Sequence, residues 1–114
     1  MTPLRARDDP QPTFAALADP MRRRLLLTLA KQSSRTATQL AQDYPITRQG
    51  ILKHLTILHD AGLVRVTQAG REKRYSLDPE PLGDLEAWIR EISALWDARL
   101  LRLKSMIENE RDVK

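Results

Sequence analysis

The 114-residue sequence contains no cysteine, which excludes disulfides, thiolate metal sites and thiol-based redox sensing. It has two histidines and four glycines, and the glycines form no phosphate-cradling loop. No run approaches the roughly 20 apolar residues that a membrane span needs. The N-terminal MTPLRARDDPQPT has no apolar h-region either. These absences predict a cytoplasmic protein, with no membrane partner. A chain this long is expected to form one domain, with a modest core but no room for a catalytic barrel or a two-domain cleft.

What is present is an uneven charge. The net charge is +4, with a sequence pI near 9.9. Residues 13–46 carry five basic and two acidic side chains, and residues 47–77 carry six and two. Residues 78–114 carry six basic and nine acidic ones. The positive field therefore lies over the middle of the chain, where it suits a polyanionic partner.

Residues 1–12 hold three prolines and few apolar residues, and they read as a flexible arm. A short helix is predicted from near Thr13, carrying Phe14, Leu17 and Ala18. Asp19-Pro20 then supplies a cap acceptor and a first-turn proline for a helix burying Leu25, Leu26 and Leu29. Thr36 and Gln39 have the spacing of a capping box, and Pro45 ends the short helix they open. Thr47 can cap the next helix, whose Ile51, Leu55 and Leu58 recur at i, i+4 and i+7 until Gly62. Two helices joined by so short a turn suggest a helix-turn-helix. The stretches LVRVT and RYSL, around the loop QAGREK, read as a hairpin with a basic tip.

A helix that buries Ile51, Leu55 and Leu58 turns Arg48, Gln49, Leu52, Lys53 and Thr56 outward. Guanine offers paired acceptors that suit Arg, and adenine an acceptor–donor pair that suits Gln, so Arg48 and Gln49 are the base-reading candidates. Thr47, Lys53 and Thr56 are placed for phosphates, and His54, at the edge of the buried face, reads as a phosphate contact or a hydrogen-bonded structural histidine. Gly50 would allow close backbone approach. An ordinary solvated helix would show similar residues, and the hairpin decides between the two readings. A helix-turn-helix followed by a basic hairpin is a winged helix, whose Arg71, Lys73 and Arg74 can reach a neighbouring groove. Glu72 also fits an ordinary charged loop.

LADPMRRRLLLTLA, ATQLAQDYPITRQGILKHLTILHDAGLVRV and GREKRYSLDPEPL resemble the ArsR/SmtB-type winged-helix regulators over residues 13–82. The resemblance implies a homodimeric bacterial transcription regulator, usually a repressor of a palindromic operator that often controls its own gene. ALWDARLLRLKSMIE is similar to the branch of that family that senses no metal, whose genes often neighbour those of START-like lipid-binding or stress proteins. Metal-sensing members use a cysteine pair before the recognition helix or a His/Asp/Glu set on the last helix. Here the first position reads QLAQDY, and the last helix has no histidine. His54 and His59 share one helix and cannot assemble a zinc site, so neither a metal nor a cofactor is expected. Pro45 replaces the family's usual turn glycine.

From residue 83 onward Leu85, Trp88, Ile89, Ile92, Leu95, Trp96, Leu100, Leu103 and Ile107 recur at threes and fours. That stripe exceeds what a small core can cover, so it predicts a dimer seam shared with Phe14. Trp88 and Trp96 could alternatively line an effector pocket, although no effector can be named. Arg22, Arg23 and Arg24 read as a solvated face with local carboxylate partners. Asp84, Glu86, Glu91 and Asp97 have no catalytic partner and no enzyme is expected.

The expected fold is thus mostly α with a two-stranded β-wing: residues 13–82 a winged helix-turn-helix, 83–114 its dimerisation helix. The expected function is repression through an inverted-repeat operator, with the protein on the nucleoid when bound. The rival is a winged helix that serves only as a protein–protein interaction module.

Overall fold

The computed structural model describes the backbone of residues 10–112 and the side chains of residues 10–110. Helix α1 runs Gln11–Leu17, α2 Pro20–Lys31, α3 Ala37–Asp43, α4 Arg48–Asp60 and α5 Glu80–Asp112. A short strand β1, Arg35–Thr36, precedes α3, and β2 (Val64–Ala69) and β3 (Glu72–Leu77) follow α4. The arm expected over residues 1–12 falls largely outside the described residues. At its end the expectation is corrected, because α1 already begins at Gln11, after Pro10.

Local chemistry explains the helix starts. The Asp19 carboxylate accepts from the Met21 and Arg22 amides at 2.7 and 3.3 Å, and Pro20 needs no amide partner. Burial pushes the Asp19 carboxyl up, but those two amides, with His54 and Arg22, outweigh it and hold it below its ordinary value. At α3 the capping box is complete: Gln39 N donates to Thr36 Oγ1 at 3.1 Å, and Thr36 N donates to Gln39 Oε1 at 2.9 Å. Thr47 Oγ1 accepts from Gly50 N at 3.0 Å and opens α4. Gly62 ends that helix at φ +79, where a side chain would be strained.

Leu25, Leu40, Ile51, Leu55, Leu58 and Leu63 are fully buried and bring α2, α3, α4 and the root of the wing into one core. The turn between α3 and α4, where Pro45 stands, is tied to that core through Tyr44. Its hydroxyl donates to Arg24 O at 3.2 Å, so its second hydrogen bond, with Thr28 Oγ1, has Thr28 as donor. Tyr44 thus anchors a turn that lacks the usual glycine.

The sheet has three antiparallel strands in the order β1-β3-β2, one more than the hairpin expected. Arg35 pairs with Tyr75 and Thr36 with Arg74, while β2 and β3 pair from Val64–Leu77 to Ala69–Glu72. The expected six-residue loop is in fact a two-residue turn, Gly70-Arg71. Gly70 sits at φ +65, as the first position of a type II′ hairpin demands. Lys73 therefore lies in a strand beside the tip. Two of the three arginines of α2 also differ from expectation, while Arg24 is exposed as expected. Arg22 Nε and Arg23 Nη1 each donate at 2.5 Å to carbonyls closing α1, those of Ala16 and Leu17, and Arg22 reaches Asp19 only at 3.9 Å.

Asp78 Oδ1 accepts from Glu80 N at 3.1 Å at the start of α5, and Arg65 Nε donates to Asp78 Oδ2 at 3.2 Å. The Glu80 amide lowers the Asp78 pKa most; burial opposes it, and Arg65 adds to the lowering. The 33 residues of α5 span roughly 50 Å at 1.5 Å each, far longer than the core they leave. The radius of gyration is accordingly 20.6 Å, against about 13 Å for a compact chain of this size.

Candidate nucleic-acid interface

The core-facing residues of α4 fix which side chains face out. Ile51, Leu55 and Leu58 are buried, whereas Arg48, Gln49, Lys53 and Thr56 are exposed along the opposite face; Leu52, expected to turn outward, is instead half-buried against the core. Among the described residues no hydrogen bond or ion pair holds Gln49, Lys53, Arg71 or Lys73. These polar ends are free for a ligand, at no cost in internal partners.

Arg48 is the first residue of α4 and leans toward α3, where its Nε donates to Thr38 Oγ1 at 3.2 Å. Both residues line an open cleft of about 640 Å³ between α3, α4 and the wing. Arg71, Glu72, Lys73 and Tyr75 form its far wall. Arg48 and the wing cations, more than 20 positions apart in sequence, thereby face one concave surface.

The hydroxyls divide by what their protons do. Thr47 Oγ1 accepts from Gly50 N, so its own proton stays available to an anion. Thr56 Oγ1 instead donates to Leu52 O at 2.9 Å, so its proton is already used. Two other candidates are half-buried. The Nδ1 of His54 is buried with no hydrogen-bond partner, and His54 acts electrostatically on Asp19. Arg74 donates to Ser34 O and to Glu72 Oε2, both at 3.3 Å, which ties the wing to the residue preceding β1.

The terminal helices meet through Phe14 and Trp88, whose rings pack edge to face with centroids 5.1 Å apart. Both rings belong to one protomer, so this pair is an internal contact. Leu85 is half-buried, but Trp88 is still 42% exposed despite that contact, and Ile89, Ile92, Leu95, Trp96, Leu100, Leu103 and Ile107 are all exposed, Leu95 at 63%. Arg99 lies on the same face, its guanidinium 5.8 Å from the Trp96 ring centroid.

No described helix is long and apolar enough to cross a membrane. No three His, Asp or Glu side chains among the described residues gather as a metal-binding set. Sequence reasoning missed Thr38 and Tyr44, and it did not foresee Arg22 and Arg23 on the carbonyls of α1, because these roles come from tertiary contacts that no local spacing announces.

Residues 17–67 match a family model described as a helix-turn-helix domain. The chain is 32% identical over 103 residues to the HTH-type transcriptional regulator Rv2034 of Mycobacterium tuberculosis, covering 90% of this chain and 92% of that protein. It is 34% identical over 76 residues to the transcriptional repressor SdpR of Bacillus subtilis, covering 67% and 83%. An ArsR-like transcriptional regulator from a Rhodococcus species has a similar solved structure, with a TM-score of 0.71 and 36% identity. That similarity covers 85% of this chain and 91% of the other.

Proposed function

The chain belongs to the ArsR family of winged helix-turn-helix transcriptional regulators, and on that premise we propose that it is a homodimeric repressor binding an inverted-repeat operator. The observation that carries this reading is the exposed face of α4, where Arg48 lines an open cleft whose far wall includes Arg71 and Lys73, and Gln49 is exposed beside it in sequence. In the major groove Arg48 reads guanine and Gln49 reads adenine. Thr47 and Lys53 hold phosphates, and Arg71 and Lys73 reach the backbone beyond the groove. His54, Thr56 and Arg74, which have internal contacts, hold the interface in shape.

Self-association is supported by the uncovered stripe on α5, where two indoles and a run of Leu and Ile side chains lie in water. Two copies pairing through it would set two α4 helices into successive major grooves about 34 Å apart. Repression is the action named for the Bacillus relative. Binding to the promoter of its own gene would make the protein autoregulatory, and its place would then be the bacterial nucleoid.

Fluorescence anisotropy tests the reading, with the protein titrated onto its own promoter fragment and onto a scrambled copy at two salt concentrations. Tight binding to the promoter, with a clear gap to the scrambled duplex, is the expected result. Equal weak binding to both, lost at the higher salt, would overturn it and favour the protein-interaction module.

A further inference from the structure

We propose that Thr38, on α3, is the positioning residue that sets how Arg48 presents itself to a base. The inference rests on the reading of Arg48 as the guanine contact. It begins from one hydrogen bond: Arg48 Nε donates to Thr38 Oγ1 at 3.2 Å, across the turn that joins the two helices. A guanidinium has five N–H donors, and it can grip the O6/N7 pair of guanine in two ways. Side-on, it uses Nε and one Nη. End-on, it uses both Nη groups. With Nε given to Thr38 only the end-on grip remains, and the long side chain is fixed before DNA arrives.

Position supports the assignment. Thr38 and Arg48 line the same cleft, open toward the wing, so the bond holds the guanidinium at the rim of the concave face rather than in free solvent. Thr38 caps nothing: the α3 cap is Thr36, with Gln39 as its reciprocal partner. Its hydroxyl is therefore not needed to start the helix, and its removal leaves the local fold its hydrogen bonds.

The test is selection from a random-sequence duplex library, read by sequencing, with wild type, Thr38→Val, Thr38→Ser, Arg48→Ala and the Thr38→Val/Arg48→Ala double variant. Valine keeps the shape and removes the acceptor, whereas serine keeps the acceptor. Wild type is expected to prefer guanine at one position per half-site. Thr38→Val should flatten that preference roughly three- to tenfold, the worth of one hydrogen bond, while binding to random DNA and the salt slope stay unchanged. Thr38→Ser should restore the preference, and Thr38→Val should add nothing once Arg48 is alanine.

If Arg48→Ala leaves the preference intact, Arg48 does not read a base and both proposals fall. If Arg48→Ala abolishes it while Thr38→Val leaves it intact, the base-reading assignment stands and the positioning role is refuted. Weakening of all duplexes alike by Thr38→Val would also refute it, and would make Thr38 a phosphate contact. A thermal melt of each variant separates these outcomes from unfolding.

Discussion

Replacing Thr47 by aspartate separates the two tasks assigned to that hydroxyl. Its oxygen accepts from Gly50 N at 3.0 Å and so starts the recognition helix. Its proton faces outward and is free for a phosphate. Aspartate is as good a cap as threonine and adds a charge that favours a helix N-terminus, so Thr47→Asp should leave stability within about 0.5 kcal/mol of wild type. It has no proton to donate, however, and its charge repels phosphate. A hydrogen bond to a charged group contributes about 1.5–3 kcal/mol, so binding should fall at least roughly tenfold per half-site on every sequence. Thr47→Ala should behave in the opposite sense on stability, losing a cap worth about 1 kcal/mol, or roughly 4 °C in Tm. Urea titrations give the first quantity and anisotropy with a fixed duplex the second. Full DNA affinity in a stable Thr47→Asp protein would refute the phosphate assignment, and an unchanged Tm in Thr47→Ala would refute the cap.

Other perturbations probe separate parts of the structure. A Cβ at Gly50 would meet Thr47 Oγ1 at 3.4 Å, an ordinary contact. Gly50→Ala should therefore stabilise the helix by about 0.5–1 kcal/mol in denaturant titrations while weakening DNA binding, because it thickens the face that must approach the duplex. Gly70→Ala places a side chain at φ +65 with open space around it, so only backbone strain opposes it. The cost should be about 1–2 kcal/mol, seen as faster amide exchange in β2 and β3. Asp19 is held below its ordinary pKa of 3.8, so its ionised form favours the folded state above that value and the benefit is lost as pH falls through the lower folded value. Asp19→Asn should flatten the acid limb of the stability–pH curve, and an unaltered limb would show that the carboxylate contributes nothing there. Ile92→Asp with Trp96→Asp places charges in the uncovered stripe of α5, and sedimentation velocity should find a folded monomer where wild type is dimeric.

Much of the helix-turn-helix could be read from the sequence because its signals are local. The capping pair Thr36/Gln39, Thr47 before α4, the periodic Ile51, Leu55 and Leu58, and the glycine at 62 each act within a turn or two of chain. What could not be read was non-local. Strand β1 is two residues long and exists only because Arg35 and Thr36 find Tyr75 and Arg74 about 40 positions later. The wing turn was read too wide because β2 is exposed beyond Val64, so no apolar alternation extends its strand past Thr67. Arg22 and Arg23 carry no sign in sequence that α1's last carbonyls will lie beneath them. Nor does any spacing join Thr38 to Arg48. The stripe on α5 was visible as periodicity, but that Phe14 and Trp88 pack within one chain depends on how α1 folds back.

The central claim is that two α4 helices, held by one dimer, read two half-sites together. It is tested most directly with a selected inverted-repeat duplex and the same duplex carrying five extra base pairs between its half-sites. Half a helical turn moves one half-site to the opposite face of the DNA, so affinity should collapse to that of a single half-site. Equal affinity for both duplexes would contradict the paired reading and leave each protomer to bind DNA alone.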